Sequence, residues 1–255
     1  MLQSRPLGQF FTPPEVVDLA FAVLAWLEPD VARGRLVDLS CGEGAFLAGA
    51  LGHGFAPGRI YGLDVDPRLL PVWQEAFPPP ERPHLGVADG LLGAMGGGFD
   101  VAVGNPPFGG SPDGALLPDL MLSYRWWRLG RRTPTSFPRE LWFLERSLGL
   151  LRPGGLLAMV LPEGFLANRR WRPQREEMLR TVQMEAVIGL PRSVFRVSRT
   201  TVRTCLVFAR RQPASPGHEV RLAELETDEI GQPKVLISAW EAGQVIATEA
   251  PWRDA

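Results

Sequence analysis

Asp38-Leu39-Ser40-Cys41-Gly42-Glu43-Gly44 is the stretch on which the fold turns. It follows the apolar run RLVDLS and leads into a helical stretch, Ala45 to Leu51. Glycines at a strand-to-helix turn let the backbone approach a ligand closely. Twenty residues after Gly44, Asp64 ends a second strand, RIYGLD. A carboxylate there can accept both hydroxyls of a ribose. Asp89 closes a third run, PHLGVAD, where it could accept from an adenine amino group. Three acids, Asp38, Asp64 and Asp89, thus fall at consecutive strand ends. In open α/β sheets ligands bind at that carboxyl edge.

Outward from these residues, FDVAVGN, GLLAMVLP, MEAVIGLP and TVRTCLVFA also read as strands, separated by stretches long enough for helices. The alternation predicts an α/β protein with a mostly parallel seven-stranded sheet covered on both faces. Thr12-Pro13-Pro14-Glu15 predicts a helix start with Thr12 as N-cap, a proline in the first turn and Glu15 closing a capping box. Residues 109–137 read as a lid or insertion loop, and 212–255 as a small C-terminal extension with two strand-like runs, EVRLAEL and KVLIS. The catalytic domain is expected over 1–211.

The loop lacks the GxGxxG register and GxxxxGK[ST], which disfavours a dinucleotide or nucleoside triphosphate. S-adenosylmethionine (SAM) suits the three acids better, having one ribose, one adenine, no phosphate and an amino-acid tail. The fourth strand then ends in Gly104-Asn105-Pro106-Pro107-Phe108-Gly109. The amine of a nucleobase is a poor nucleophile because its lone pair is delocalised into the ring. Two acceptors for its hydrogens, the Asn105 side-chain oxygen and the Pro106 carbonyl, would favour a more tetrahedral nitrogen. Pro106 and Pro107 fix φ and keep those acceptors aimed. Phe108 offers a stacking face worth roughly 1–3 kcal/mol per base. Such chemistry needs no metal and no cysteine nucleophile. Cys41 and Cys205 lie far apart without metal-ligand spacing, which points to a reduced, cytoplasmic protein.

These residues resemble the gamma-type class of amino-methyltransferases acting on N6 of adenine in DNA. The resemblance runs from Gln9 to about Arg211 and implies a Rossmann-like class I SAM-dependent methyltransferase. GQFFTPPEVV resembles the segment that packs on the methionine part of SAM, implicating Phe11, Thr12 and Pro13. DLSCGEG resembles the cofactor loop, with Asp38, Ser40, Cys41, Gly42 and Gly44. GLDVDP resembles the ribose-binding strand end, with Asp64 and Val65, and ADG the adenine contact, with Asp89 and Gly90. GNPPFG resembles the catalytic turn, with Asn105 also beside the cofactor. FLERSLGLLRPGGLLAMVLPEGFL, EAVIGLPRSVF and TCLVF look like modification subunits of restriction–modification systems. Phe195 corresponds to a second aromatic wall for the target base.

Many members carry a large target-recognition domain or rely on a separate specificity subunit. Only 44 residues follow Arg211 here, too few for such a domain. Sequence specificity is therefore expected from a partner (a specificity subunit or restriction partner), from the 109–137 lid, or not at all, and the chain could be a piece of a longer protein. Methylation of guanine N2 in RNA, or of a protein glutamine, also uses an NPP-aromatic turn and is the main enzymatic alternative. A cytosine N4 enzyme, with Ser or Asp usual in place of Asn105, is a further one. A non-catalytic subunit would be expected to have lost the cofactor loop or the turn, and neither is lost here.

Charge supplies the partner. Residues 1–120 balance to −8, residues 121–211 to +12 and residues 212–255 to −5. A basic middle segment suits a polyanion, here DNA. Arg125, Arg128, Arg131 and Arg132 in the lid, Arg169, Arg170 and Arg172 after the fifth strand, and Arg196 and Arg199 near Phe195 are the candidate contacts. Trp126, Trp127 and Trp171 lie among them and could stack on bases. No run of 18 apolar residues predicts a membrane span, and no secretion signal precedes the first helix.

Overall fold

The computed structural model describes residues 12–93, 95–110, 117–129, 133–191, 202–227 and 233–234. All seven predicted strands form: β1 Leu36–Asp38, β2 Ile60–Asp64, β3 His84–Val87, β4 Phe99–Gly104, β5 Leu151–Pro162, β6 Gln183–Leu190 and β7 Thr204–Arg210. An eighth, β8 Arg221–Glu224, lies inside the expected C-terminal extension. It pairs in parallel with β6, from Ala186↔Arg221 to Gly189↔Glu224, and so enlarges the expected sheet by one strand. The order is β3-β2-β1-β4-β5-β7-β6-β8. Strands β1 to β5 run parallel, and β7 is antiparallel to both neighbours. Beyond β8, a short antiparallel pair joins β9 Glu226–Thr227 to β10 Pro233–Lys234.

Side-chain alternation divides the core between the two faces of the sheet. Val101 and Val103 of β4, with Leu156, Ala158 and Val160 of β5, pack under α1 Pro14–Leu27, α2 Ala45–Gly52 and α3 Leu70–Ala76. The intervening Ala102, Leu157, Met159 and Leu161 pack on the opposite face. That face is covered by α4 Leu117–Ser123, α5 Arg139–Leu150 and α7 Arg172–Leu179, with α6 Glu163–Ala167 following β5. Near-continuous apolar runs are what strands buried on both faces require. Among the described residues no helix is long and apolar enough to cross a membrane.

Two local expectations are corrected. Thr12 does not cap α1: Pro13 holds the N-cap position, no side chain caps the helix, and Pro14 is its first residue. The Pro13 carbonyl instead accepts the Val16 and Val17 N–H groups, and Pro14 has no N–H to satisfy. The described part of 109–137 is not a loose loop either. Leu120, Tyr124, Trp126 and Phe137 are buried in the second core cluster, and the Tyr124 hydroxyl donates to the Leu91 carbonyl. Burial of these side chains outweighs the turn-rich composition that suggested a lid.

Candidate active site

The ends of β1, β2 and β4 meet around the loop 38–44. Gly42 and Gly44 adopt positive φ, +54° and +98°. A Cβ on Gly44 would stand 2.7 Å from the Phe77 ring, so glycine is required there by packing as well as by φ. The loop is tied down by backbone bonds: Cys41 N–H to Leu63 O at 2.9 Å and Gly44 N–H to Cys41 O at 2.8 Å. The Trp73 indole N–H adds a bond to Gly42 O at 2.7 Å. Gly90 brings the end of β3 against β1, where a Cβ would meet the Leu39 carbonyl at 2.0 Å.

Asp38 and Asp64 are both buried. Asp38 Oδ1 accepts the Ser40 N–H at 3.0 Å. Asp64 accepts from Gly42 N–H at 2.9 Å and from Asp66 N–H at 3.0 Å. Burial pushes the Asp38 carboxyl up to about 7, against the Ser40 bond and with a further push from the Asp64 charge. Burial also raises Asp64, against its bonds from Asp66 and Gly42. Two desolvated carboxylates that repel each other favour a cationic neighbour. Asp89 is half-buried, and its Oδ1 accepts Leu91 N–H at 2.8 Å. Val65, beside Asp64, is an exposed apolar side chain, 56% accessible, at the same edge.

Cys41 contributes to this loop through its backbone. Its thiol is buried in the first core cluster. Burial first, then the charges of Asp38 and Asp64, hold it well above the usual thiol range. It is no nucleophile.

The turn after β4 lies against the same loop. Gly104 packs on Asp38, whose Oδ1 would be 3.1 Å from a Cβ at that position. Asn105 Nδ2 donates to Thr12 Oγ1 at 3.1 Å. Asn105 Oδ1 is buried and has no hydrogen-bond partner among the described residues. Native structures rarely leave such an atom unsatisfied without a functional reason. Pro106 is buried, Pro107 and Phe108 are half-buried, and Phe108 packs on the first core cluster. The turn ends where Gly109 N–H donates to Glu140 Oε2 at 2.8 Å.

Thr12, Pro13, Asp38, Ser40, Gly42, Gly44, Asp64, Val65, Asp89, Gly90 and Asn105 to Phe108 thus sit on the loops at one edge of the sheet. Three contributions escaped the sequence. The Thr12 hydroxyl serves Asn105 rather than the helix it precedes. Glu140 holds the end of the turn. Glu145, on the same helix, accepts Arg125 N–H at 2.7 Å and Trp126 N–H at 3.1 Å, anchoring the return of the insertion. The only hint of the two glutamates was acids embedded in the apolar stretch RELWFLERSL.

The arginines divide. Arg125, Arg128, Arg169, Arg170 and Arg172 are exposed. Gln174 Nε2 bonds the carbonyls of Trp126 and Leu129 at 3.1 and 2.9 Å, so α7 and the insertion are neighbours. Arg172 is engaged by Glu176 at 2.8 Å. The Arg170 charge opposes the upward shift that burial imposes on the Glu140 carboxyl, which itself holds Gly109. Trp126 and Trp171 are core residues and offer no base-stacking face. Trp127 is half-buried, with its indole N–H on the Tyr124 carbonyl at 3.1 Å. Phe11, Phe195, Arg131, Arg132, Arg196 and Arg199 lie outside the described residues.

Comparison with known proteins agrees with this geometry. The chain is 32% identical over 179 residues to the type II methyltransferase M.TthHB8I of Thermus thermophilus, covering 64% of this chain and 36% of that one. It is 33% identical over 106 residues to a release factor glutamine methyltransferase of Corynebacterium glutamicum, covering 40% and 38%. The chain therefore spans little more than a third of the length of these two relatives. Among solved structures it superimposes on a Listeria monocytogenes protein, lmo1582, described as a class I S-adenosylmethionine-dependent methyltransferase. The TM-score is 0.72 at 20% identity, over 89% of this chain and 69% of that one. It also matches the type I restriction–modification methyltransferase subunit of Streptococcus thermophilus, with a TM-score of 0.71 at 20% identity, over 94% and 55%. The fold is that of class I methyltransferases. A family model, Eco57I restriction-modification methylase, matches residues 60–195, more than half of the sequence, and the chain belongs to that family.

Proposed function

We propose that this domain methylates the N6 amine of adenine in DNA, with SAM as methyl donor, within a restriction–modification or defence system. The observation that carries the reading is the buried Asn105 Oδ1 on the turn at the end of β4, which has no partner among the described residues. An acceptor held in that state is an acceptor waiting for a hydrogen. Asn105 Oδ1 and the Pro106 carbonyl accept the two hydrogens of the target amine and draw its lone pair out of the ring. Phe108 stacks on the base, and the two prolines keep the acceptors fixed.

The residues at the strand ends fit SAM: repelling carboxylates for its positive charge, a carboxylate for its ribose and one for its adenine amine. Asp64 would take the ribose hydroxyls, Asp89 the adenine amine, Val65 the adenine face, and Asp38 would balance the cationic tail. When bound, SAM supplies an electrophilic methyl on a sulfonium. The chain's own part is to hold the amine in line and exclude water. Exposed Arg125, Arg128, Arg169, Arg170 and Arg172 would take DNA phosphates, and a separate subunit or further chain would supply sequence specificity.

The likeness to a release factor glutamine methyltransferase supports a second reading, transfer to a glutamine side-chain amide, whose nitrogen is delocalised in the same way. Incubating the protein with SAM and either plasmid DNA or a glutamine-bearing release factor, followed by mass spectrometry, separates the two. N6-methyladenine formed by wild type and not by Asn105→Ala is the expected result. Equal methylation by both proteins would remove Asn105 from the mechanism.

A further inference from the structure

The catalytic turn is held at both ends by side chains from outside it. At its start, Asn105 is fixed by Thr12. At its finish, the chain reverses through Gly109 and Gly110, with φ of +67° and +62°. Consecutive glycines of positive φ are intrinsically mobile. Phe108 packs on the first core cluster and is stiffened by Pro107 before it, but the backbone after it passes straight into these glycines. The restraint on that side is a carboxylate. Glu140, in the first turn of α5, is 8% exposed and places Oε2 2.8 Å from the Gly109 nitrogen. Burying a carboxylate is costly, and burial does raise this one above its ordinary range, opposed by the Gly109 bond and by Arg170. A glutamine would accept the same N–H without that cost. The ionised form gains a stronger, charge-assisted bond.

We propose that Glu140 is a positioning residue for methyl transfer: through the Gly109 N–H it holds Phe108, and with it the acceptors of Asn105 and Pro106, at the geometry the target base requires. The inference rests on the reading of this turn as catalytic. Glu140 touches neither base nor cofactor in this role, and acts only through the backbone.

The test uses the full chain and two readouts. The first is hydrogen exchange of the Gly109 amide followed by NMR, with the amides of Val101 and Val103 as internal controls. Glu140→Ala should speed Gly109 exchange by about tenfold or more, as expected for loss of a charge-assisted bond, and leave the controls unchanged. Glu140→Gln should restore most of the protection. The second readout is methylation of plasmid DNA. Glu140→Ala should lower kcat by ~10–100-fold, with the affinity for SAM, measured calorimetrically, within about twofold of wild type. Glu140→Gln should recover kcat to within a few-fold. Unchanged Gly109 exchange in Glu140→Ala overturns the proposal. So does a loss of kcat that Glu140→Gln fails to rescue, or one accompanied by an equal loss of SAM binding. If wild type leaves DNA unmethylated while the exchange results hold, the substrate reading falls and the anchoring of the turn stands.

Discussion

The Asn105 amide nitrogen donates to the Thr12 hydroxyl across 3.1 Å, joining residues 93 positions apart. That bond decides which way the amide faces. With Nδ2 committed to Thr12, the oxygen is the atom left buried and open. Thr12→Val keeps the shape and removes the acceptor, so the amide can turn over or lose its place. We expect kcat to fall by roughly 10–100-fold, the equivalent of about 1–3 kcal/mol for an unpaired buried group. SAM affinity should change much less. Steady-state kinetics with calorimetry checks this, and an unaltered kcat would show that Thr12 does not orient Asn105.

Asp38 supplies a pH dependence whose sign is fixed. Its carboxyl is pushed up to about 7 in the folded protein, against about 3.9 in an unfolded chain. The folded state therefore holds the proton more tightly, and its stability is fully present below the unfolded value and lost as pH climbs to about 7. Asp38→Asn, which can still accept the Ser40 N–H, avoids that loss. It should exceed wild type in stability by roughly 1–4 kcal/mol at pH 8, a gain that shrinks towards zero near pH 4. Urea unfolding at the two pH values measures this. Parallel curves for the two proteins would contradict it.

On the proposed placement of SAM, the same carboxyl couples to the cofactor. A cationic ligand favours ionised Asp38, so wild type should release a proton on binding SAM below about pH 7, and its affinity should rise with pH over that range. Calorimetry in two buffers of different ionisation enthalpy counts the proton. Asp38→Asn should release less and bind more weakly. Identical proton release from both proteins would exclude Asp38 as the group.

Trp171 and Arg170 are adjacent in sequence and should behave oppositely. Trp171 is buried, so Trp171→Ala should cost about 3–5 kcal/mol of stability, whatever it does to DNA binding. Arg170 is exposed, so Arg170→Ala should leave stability within about 0.5 kcal/mol and weaken DNA binding. The dependence of log affinity on log salt should lose about one unit of slope for each phosphate contact removed. Thermal unfolding and fluorescence anisotropy at several salt concentrations distinguish the two. A wild-type affinity insensitive to salt would rule out phosphate contacts as its source.

On the proposed reading of the site, the target amine must leave the duplex to reach Asn105, so single-stranded or mismatched DNA should be methylated at least as fast as paired DNA. Comparing initial rates on the two forms is sufficient. Strict dependence on intact duplex would mean that the arginine face works only on paired phosphates.

The central strands β4, β5 and β7 were legible because strands buried on both faces must be almost continuously apolar, and the edge strand β3, half exposed, was legible mainly from its place between turn residues and Asp89. Asn105-Pro106-Pro107-Phe108 was legible for a related reason: the rigidity comes from proline itself, residue by residue. The eighth strand was visible only as an apolar run, since nothing in Arg221–Glu224 names β6 as its partner. The fate of Trp126 and Trp171 was illegible too. A tryptophan flanked by arginines can face a base or a core, and here the second apolar layer of the sheet took both.

By itself the sequence determined what is local: strand runs, the glycine loop, acids at strand ends and a stiff turn. These follow from φ restrictions, side-chain alternation and hydrogen-bonding types that each residue carries with it. Only the tertiary structure decided where the polar atoms spend their bonds. Thr12 is a capping residue type just ahead of a helix, yet Pro13 holds the N-cap position and the Thr12 hydroxyl holds Asn105. Glu140 sits in an apolar helix, yet its carboxylate holds Gly109, 31 residues earlier. A buried donor or acceptor must find a partner wherever packing brings one within reach, and that choice is made by the whole fold rather than by neighbours in the chain.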